Sequence, residues 1–171
     1  MATVVRKRDL RASATGCERA FGFLTTDFGY RHVSTTIRDA GFRIDYAGPV
    51  LGVRLDWEHG DPFFVWLVRL VDGDFPPRSG IRPDTPLDYL DLESLEDVVG
   101  YERQVETGDF SPLPDETTAR LVAESLRSCG ASLLRGDLGR WGAVETYIKQ
   151  RFRDNLVKHR AYDLGRQLGW F

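Results

Sequence analysis

Between residues 42 and 70 the chain is written in a period of two. Phe42, Ile44 and Tyr46 alternate with Arg43 and Asp45, and after Gly48-Pro49 the residues Leu51, Val53, Leu55 and Trp57 alternate with Gly52, Arg54, Asp56 and Glu58. Successive side chains of a strand point to opposite faces, so both segments read as strands buried on one side. His59-Gly60-Asp61-Pro62 turns the chain back into 63–70 (FFVWLVRL), which is apolar on both faces until Arg69 and reads as a central or doubly covered strand. A shorter strand from Arg31 to Ile37 precedes these three. Connections this short favour an antiparallel meander, because a parallel crossover needs a dozen residues or more.

The flanking segments change to helical spacing. Ser13 or Thr15 is the expected cap of a helix that places Cys17, Ala20, Phe21, Leu24 and Phe28 on one stripe and stops at Gly29. After a Pro-, Gly- and Asp-rich stretch over 72–94, read as a long ordered loop with a short strand or turn at Leu87 to Leu90, a helix is expected from Ser94 or Leu95 to about Gln104. A loop from Thr107 to Pro114 leads to Asp115, which caps a helix carrying Ala119, Val122, Leu126 and Cys129 up to Gly130. Ser132 to Leu138 reads as a short turn or helix. The last helix runs from about Trp141 to Leu164, aligning Val144, Ile148, Phe152 and Leu156. Strands and helices fall in separate runs, so the expected class is α+β: an N-terminal helix, an antiparallel meander of three to four strands, then three to four helices packed on one sheet face. Residues 1–12, with Arg6, Lys7, Arg8 and Arg11, are expected to form a basic flexible arm, and 13–171 a single domain.

The 171 residues are enough to bury a sizeable core, and 23 basic against 26 acidic side chains leave a net charge of −3. No apolar run approaches a membrane span, and the start has no apolar stretch behind its charges, so the expected compartment is the cytoplasm. Two cysteines, Cys17 and Cys129, fall on apolar helical faces and read as buried thiols rather than a disulfide framework. Arginine outnumbers lysine 20 to 3. The arginines are scattered along the whole chain, as an arginine-leaning genome would place them. Nucleotide-binding Gly-rich loops, HExxH, GxSxG and CxxC are all missing from the sequence, and no cofactor is expected.

Three clusters remain as candidate sites. Residues 82–118 hold eleven acidic and two basic side chains, an asymmetry that suits docking on a basic partner protein. Within it Asp88, Asp91, Glu93, Glu96 and Asp97 are the expected contacts, with Tyr89 as an aromatic anchor. Residues 149–166 hold six basic and two acidic side chains. With the N-terminal arm they offer Arg6, Arg8, Arg151, Arg153 and Arg160 to nucleic acid or a nucleotide, an alternative that the net negative charge opposes. Asp56, Glu58 and His59 lie at one strand end, where hard oxygen ligands could hold a divalent cation for a metal-dependent hydrolase. The bland reading of the same acids is a polar strand face paired across to Arg54 and Arg43. Asp72-Gly73-Asp74 has turn chemistry, and Trp170-Phe171 at the end is expected to tuck back onto the domain or sit in a partner.

Phe21-Gly22-Phe23-Leu24, Phe28-Gly29-Tyr30-Arg31, Tyr46 to Asp56 (YAGPVLGVRLD) and Leu134-Arg135-Gly136-Asp137-Leu138 together resemble a group of small uncharacterised bacterial proteins with an F-x-F-L opening helix and a late L-R-G-D-L turn. The resemblance implies a compact domain without assigned chemistry. Small proteins of this character are often associated with bacterial immunity or defence. The expectation is therefore a non-enzymatic, protein-binding domain, with an immunity-type inhibitor as its most concrete form.

Overall fold

Five strands, β1 (Arg31–Ile37), β2 (Gly41–Ala47), β3 (Leu51–Glu58), β4 (Phe64–Arg69) and β5 (Tyr89–Asp91), form one antiparallel sheet in the order β1-β2-β3-β4-β5. The structure, a computed structural model, describes residues 5–105 and 112–171. The helices are α1 (Lys7–Ala20), α2 (Phe23–Thr26), α3 (Leu92–Val99), α4 (Glu116–Cys129), α5 (Ala131–Leu134), α6 (Trp141–Lys158) and α7 (Tyr162–Gln167), with a 3-10 turn at Leu138–Arg140. The class is α+β, as the separated runs imply, and the sheet gains a fifth strand at Tyr89–Asp91, overlapping the short strand or turn expected at Leu87 to Leu90.

The register follows the alternation. Phe42 stands opposite Trp57, Ile44 opposite Leu55 and Tyr46 opposite Val53. These residues, with Val65, Leu67 and Leu90 of the next strands, face the main core. Helices α1, α3, α4 and α6 close that core with Leu10, Phe21, Leu95, Leu126, Trp141 and Val144, each fully buried.

The opposite face carries two devices. Across β2 and β3, Arg43 stands opposite Asp56, and Asp45 opposite Arg54. Beyond them Phe64, Trp66, Val68, Tyr89 and Phe75 form a second, smaller apolar cluster. The strap 71–88, running from β4 to β5, supplies Phe75 to this cluster. Its first turn has Asp72 at φ 53° and Gly73 at φ 84°, with Val71 and Asp74 exchanging backbone hydrogen bonds of 2.9 and 3.0 Å. Positive φ at both central residues is the primed hairpin turn that Asp-Gly favours. Gly52 lies beneath the strap, where an added Cβ would sit 2.5 Å from the Phe75 ring. Only glycine lets the strap lie this close.

Several boundaries differ from the sequence expectation for identifiable reasons. Helix α1 starts at Lys7, not at Ser13 or Thr15, because Leu10 extends the buried stripe of Ala14, Cys17 and Phe21 by a turn. Ser13 is inside the helix, and its hydroxyl donates to the Pro114 carbonyl at 2.6 Å. The stretch 7–12 is therefore helix rather than arm, and residues 1–4 lie outside the described residues. Asp91 accepts from the Ser94 amide at 2.8 Å, so α3 begins at Leu92 and ends at Gly100, whose φ of 70° halts it well short of Gln104. The expected loop from Thr107 falls largely outside the described residues. Asp115 does cap α4, through the Thr118 amide at 2.7 Å. The last helix breaks after Lys158, with Arg160 at φ 53°, and resumes as α7.

Of the two terminal aromatics Trp170 tucks back, while Phe171 stays 47% exposed beside Tyr162. The Trp170 indole donates to the Ile81 carbonyl at 3.1 Å and its ring lies 5.8 Å from that of Phe152. The far end of the strap is thereby fastened to α6 and to the C-terminus. Among the described residues no helix is long and apolar enough to cross a membrane.

Candidate functional site

A cavity of about 240 Å³ opens beside β4, between the strap, the start of α3 and the second half of α6. Its apolar wall comes from the sheet. Phe64 and Trp66 stack with ring centroids 5.0 Å apart, and Tyr89 meets Trp66 edge-on at 6.3 Å. Alternation along β4 puts Phe64 and Trp66 on the face away from the main core, and β5 pairs beside them with Trp66 opposite Asp91. Val105, Val122 and Ile148 contribute further apolar surface. Arg78, Ser79 and Asn155, all exposed, stand at the rim.

Five of the six residues expected to bind a partner line this cavity: Asp88, Tyr89, Asp91, Glu93 and Glu96. Asp97, the sixth, lies just outside it. The six do not form a free acidic surface. Asp91 is buried, accepts from the Ser94 amide and hydroxyl, and has the Arg151 guanidinium at 3.7 Å. Glu96 is 6% exposed and accepts from Arg103 Nε at 2.8 Å and from the Ser125 hydroxyl. Asp97 accepts from the Tyr147 hydroxyl at 2.7 Å and from Arg103. That bond to Asp97 raises the Tyr147 pKa, because a phenol that donates to a carboxylate resists losing its proton. Asp88 is half-buried, and its backbone carbonyl holds the Arg69 amide at 2.8 Å.

Tyr89 is a structural joint as well as a wall. Its hydroxyl donates to the Pro76 carbonyl at 2.7 Å and accepts from Arg54 at 2.9 Å. Arg54 forks onto Asp45 at 2.7 and 3.1 Å and lies 4.7 Å from the Phe75 ring centroid. Burial works to lower the pKa of Arg54, but the hydrogen bond and charge of Asp45 outweigh it and the net shift is upward. This guanidinium ties β2, β3, β5 and the strap together.

The lining holds four carboxylates, Asp88, Asp91, Glu93 and Glu96, against two guanidinium groups, Arg78 and Arg151, with Arg103 engaging Glu96 as a third. The excess of negative charge beside an aromatic wall suits a cationic group. Sequence reasoning named the acids from local charge density and Tyr89 as an aromatic anchor among them. It missed Phe64, Trp66, Arg78 and Arg151 as their neighbours, because α6 and the strap reach the site only through tertiary packing.

The other two clusters are placed differently. Asp56 is held between Arg38 at 2.5 Å and Arg43 at 3.0 Å, Arg38 reaches Glu58 at 3.5 Å, and His59 packs edge-on against Trp57. Guanidinium groups thus occupy the carboxylate oxygens that a metal would need. Among the described residues no group of three or more His, Cys, Asp or Glu side chains is arranged to hold a metal ion. Arg6 and Arg8 lie at the start of α1, which packs on α4, β1 and β2, whereas Arg151 belongs to the cavity and α6 packs on α3, α7 and β5. Arg153 and Arg160 are exposed.

The cysteines are poor nucleophiles. Burial, with a smaller contribution from the charge of Glu18, pushes the Cys17 thiol up to about 12, and burial pushes Cys129 up to about 11. Both stay protonated well above neutral pH, and a thiol needs its anion to react. In the native protein at pH 8 neither should react with a disulfide reagent within minutes. Both should react in concentrated urea, where the values return toward about 8.5. A fast native thiol would show that one of these side chains is reachable.

No family model, curated protein or solved structure matches the chain.

Proposed function

We propose that the chain is a non-enzymatic, protein-binding domain that docks a basic partner through the face around the α3 cavity, in the manner of an immunity-type inhibitor. The observation that carries this reading is the convergence of Asp88, Tyr89, Asp91, Glu93 and Glu96 on one cavity with an aromatic wall. Long-range attraction from the acidic segment would speed association, and insertion of a partner side chain against Trp66 and Tyr89 would slow dissociation. Anchoring in a desolvated pocket is how a few residues come to dominate an interface.

The test separates docking from folding by leaving Asp91 and Glu96 intact, since both hold the structure together. The variant Asp84→Asn/Asp88→Asn/Glu93→Gln changes Asp88 and Glu93 of the cavity lining and Asp84, an exposed acid of the strap that leads to them. The wild-type protein, used as bait in lysate of its own host, is expected to retain one stoichiometric protein at low salt and to lose it at moderate salt. The triple variant is expected to retain at least tenfold less while melting within a few degrees of wild type. Equal retention by the variant, or recovery of nucleic acid instead, would overturn the proposal.

A further inference from the structure

One side chain already sits where a ligand cation would sit. Arg78, at the middle of the strap, places its guanidinium carbon 4.0 Å from the centroid of the Trp66 ring. It is an exposed residue on a segment without regular structure, yet its charged end lies over the aromatic wall of the cavity. Among the described residues it makes no ion pair, so stacking on Trp66 is its principal contact. Desolvation against that wall lowers its pKa, while the charges of Asp91 and Asp56 act in the opposite direction.

From this geometry we infer that the cavity is a receptor for a single arginine side chain of the partner, and that Arg78 is its resident occupant, displaced when the partner's arginine enters. The inference rests on the protein-docking reading above and specifies both the group received and how access is controlled. Three features support it. A guanidinium already lies over Trp66, its carbon 4.0 Å from the ring centroid, so the site has room for one. Asp91 and Glu96 are already engaged by Arg151 and Arg103, and Asp88, a further lining carboxylate, offers the incoming guanidinium a counter-charge once Arg78 has left. The strap is fastened at both sides of Arg78: by Phe75 and the Tyr89–Pro76 bond before it, and by the Trp170–Ile81 bond after it. The backbone therefore stays in place when the side chain swings away. A stack without an ion pair is worth about 0.5–2 kcal/mol, small enough for a competing arginine with added contacts to replace it.

Calorimetric titration with acetyl-arginine amide, and with acetyl-citrulline amide as its neutral isostere, tests the inference on the full chain. The wild-type protein is expected to bind the arginine compound and not the citrulline one. Arg78→Ala, which removes the competitor, is expected to bind it roughly 2- to 30-fold more tightly, the stacking range converted at tenfold per 1.4 kcal/mol. Arg78→Gln should fall on the same side, and thermal melts of both variants should overlay wild type. Unchanged affinity in both variants would overturn Arg78 as the occupant, and weaker binding would make it a ligand contact instead. Equal binding of citrulline, or no binding of arginine by any variant, would overturn the receptor itself. The docking reading stands or falls separately, on the salt-dependent capture by the wild type and its loss in the acidic-segment variant.

Discussion

Replacing Trp141 with alanine is expected to cost about 3–5 kcal/mol of stability. The residue opens α6 and is fully buried in the main core. Its indole nitrogen donates to the Leu87 carbonyl at 3.2 Å, fastening α6 to the chain just before β5, and the Arg69 guanidinium lies 4.5 Å from its ring centroid. Alanine would leave a cavity, strand the Leu87 carbonyl without its donor and take the aromatic face from Arg69. Trp141→Phe keeps most of the packing and loses the hydrogen bond, so about 1–2 kcal/mol should go. Urea unfolding followed by circular dichroism measures both. For a chain of this size the alanine variant should melt roughly 10 °C lower. A loss below 1 kcal/mol would show that α6 is not held at this point.

The second large effect is expected at the buried ion pair on the other sheet face. Asp45 and Arg54 stand opposite each other on β2 and β3, with side chains only 11% and 12% exposed. Asp45→Ala would leave the Arg54 guanidinium enclosed by Phe75 and Tyr89 without its carboxylate. Breaking one side of a buried pair costs about 3–5 kcal/mol, whereas replacing both sides with apolar groups of similar volume is often close to neutral. The double variant Asp45→Val/Arg54→Met should therefore be clearly more stable than Asp45→Ala alone. The Tyr89 hydroxyl keeps its bond to Pro76 in that variant. A double-mutant cycle by denaturant unfolding reads the coupling directly. If Asp45→Ala lost less than 1 kcal/mol, the pair would be a solvated contact and the strap would be held by its apolar residues alone.

These two positions also mark how far the chain was legible before it was folded. The cross-strand charges could be anticipated, since alternation places Arg43, Asp45, Arg54 and Asp56 on one face of adjacent strands. What alternation leaves open is which acid meets which base, and that depends on the register of the pairing. Trp141 reads as an apolar residue at a helix start, but its carbonyl partner Leu87 is 54 residues away.

The acidic segment shows the limit most clearly. Its density of Asp and Glu reads as a solvated surface, and five residues of the segment, four acids and Tyr89, line one cavity. Asp91 and Glu96 are nevertheless buried, because Ser94, Arg103, Ser125 and Arg151 reach them from α3, the chain beyond it, α4 and α6. A carboxylate can leave water once donors and opposite charges replace its hydration. No local pattern reveals that those replacements will arrive from elsewhere.

The sequence by itself determined the meander, the helical runs that cover one of its faces, the Asp-Gly turn and the cap at Asp115. Each follows from local rules: side-chain periods of 2 and 3.6, and backbone preferences that act over a few residues. Only the tertiary structure decided that Tyr89 to Asp91 completes the sheet, that the strap lies over Gly52, and that Arg78 rests on Trp66. Those arrangements join residues from separate elements of the chain, which no local preference of a few residues can bring together.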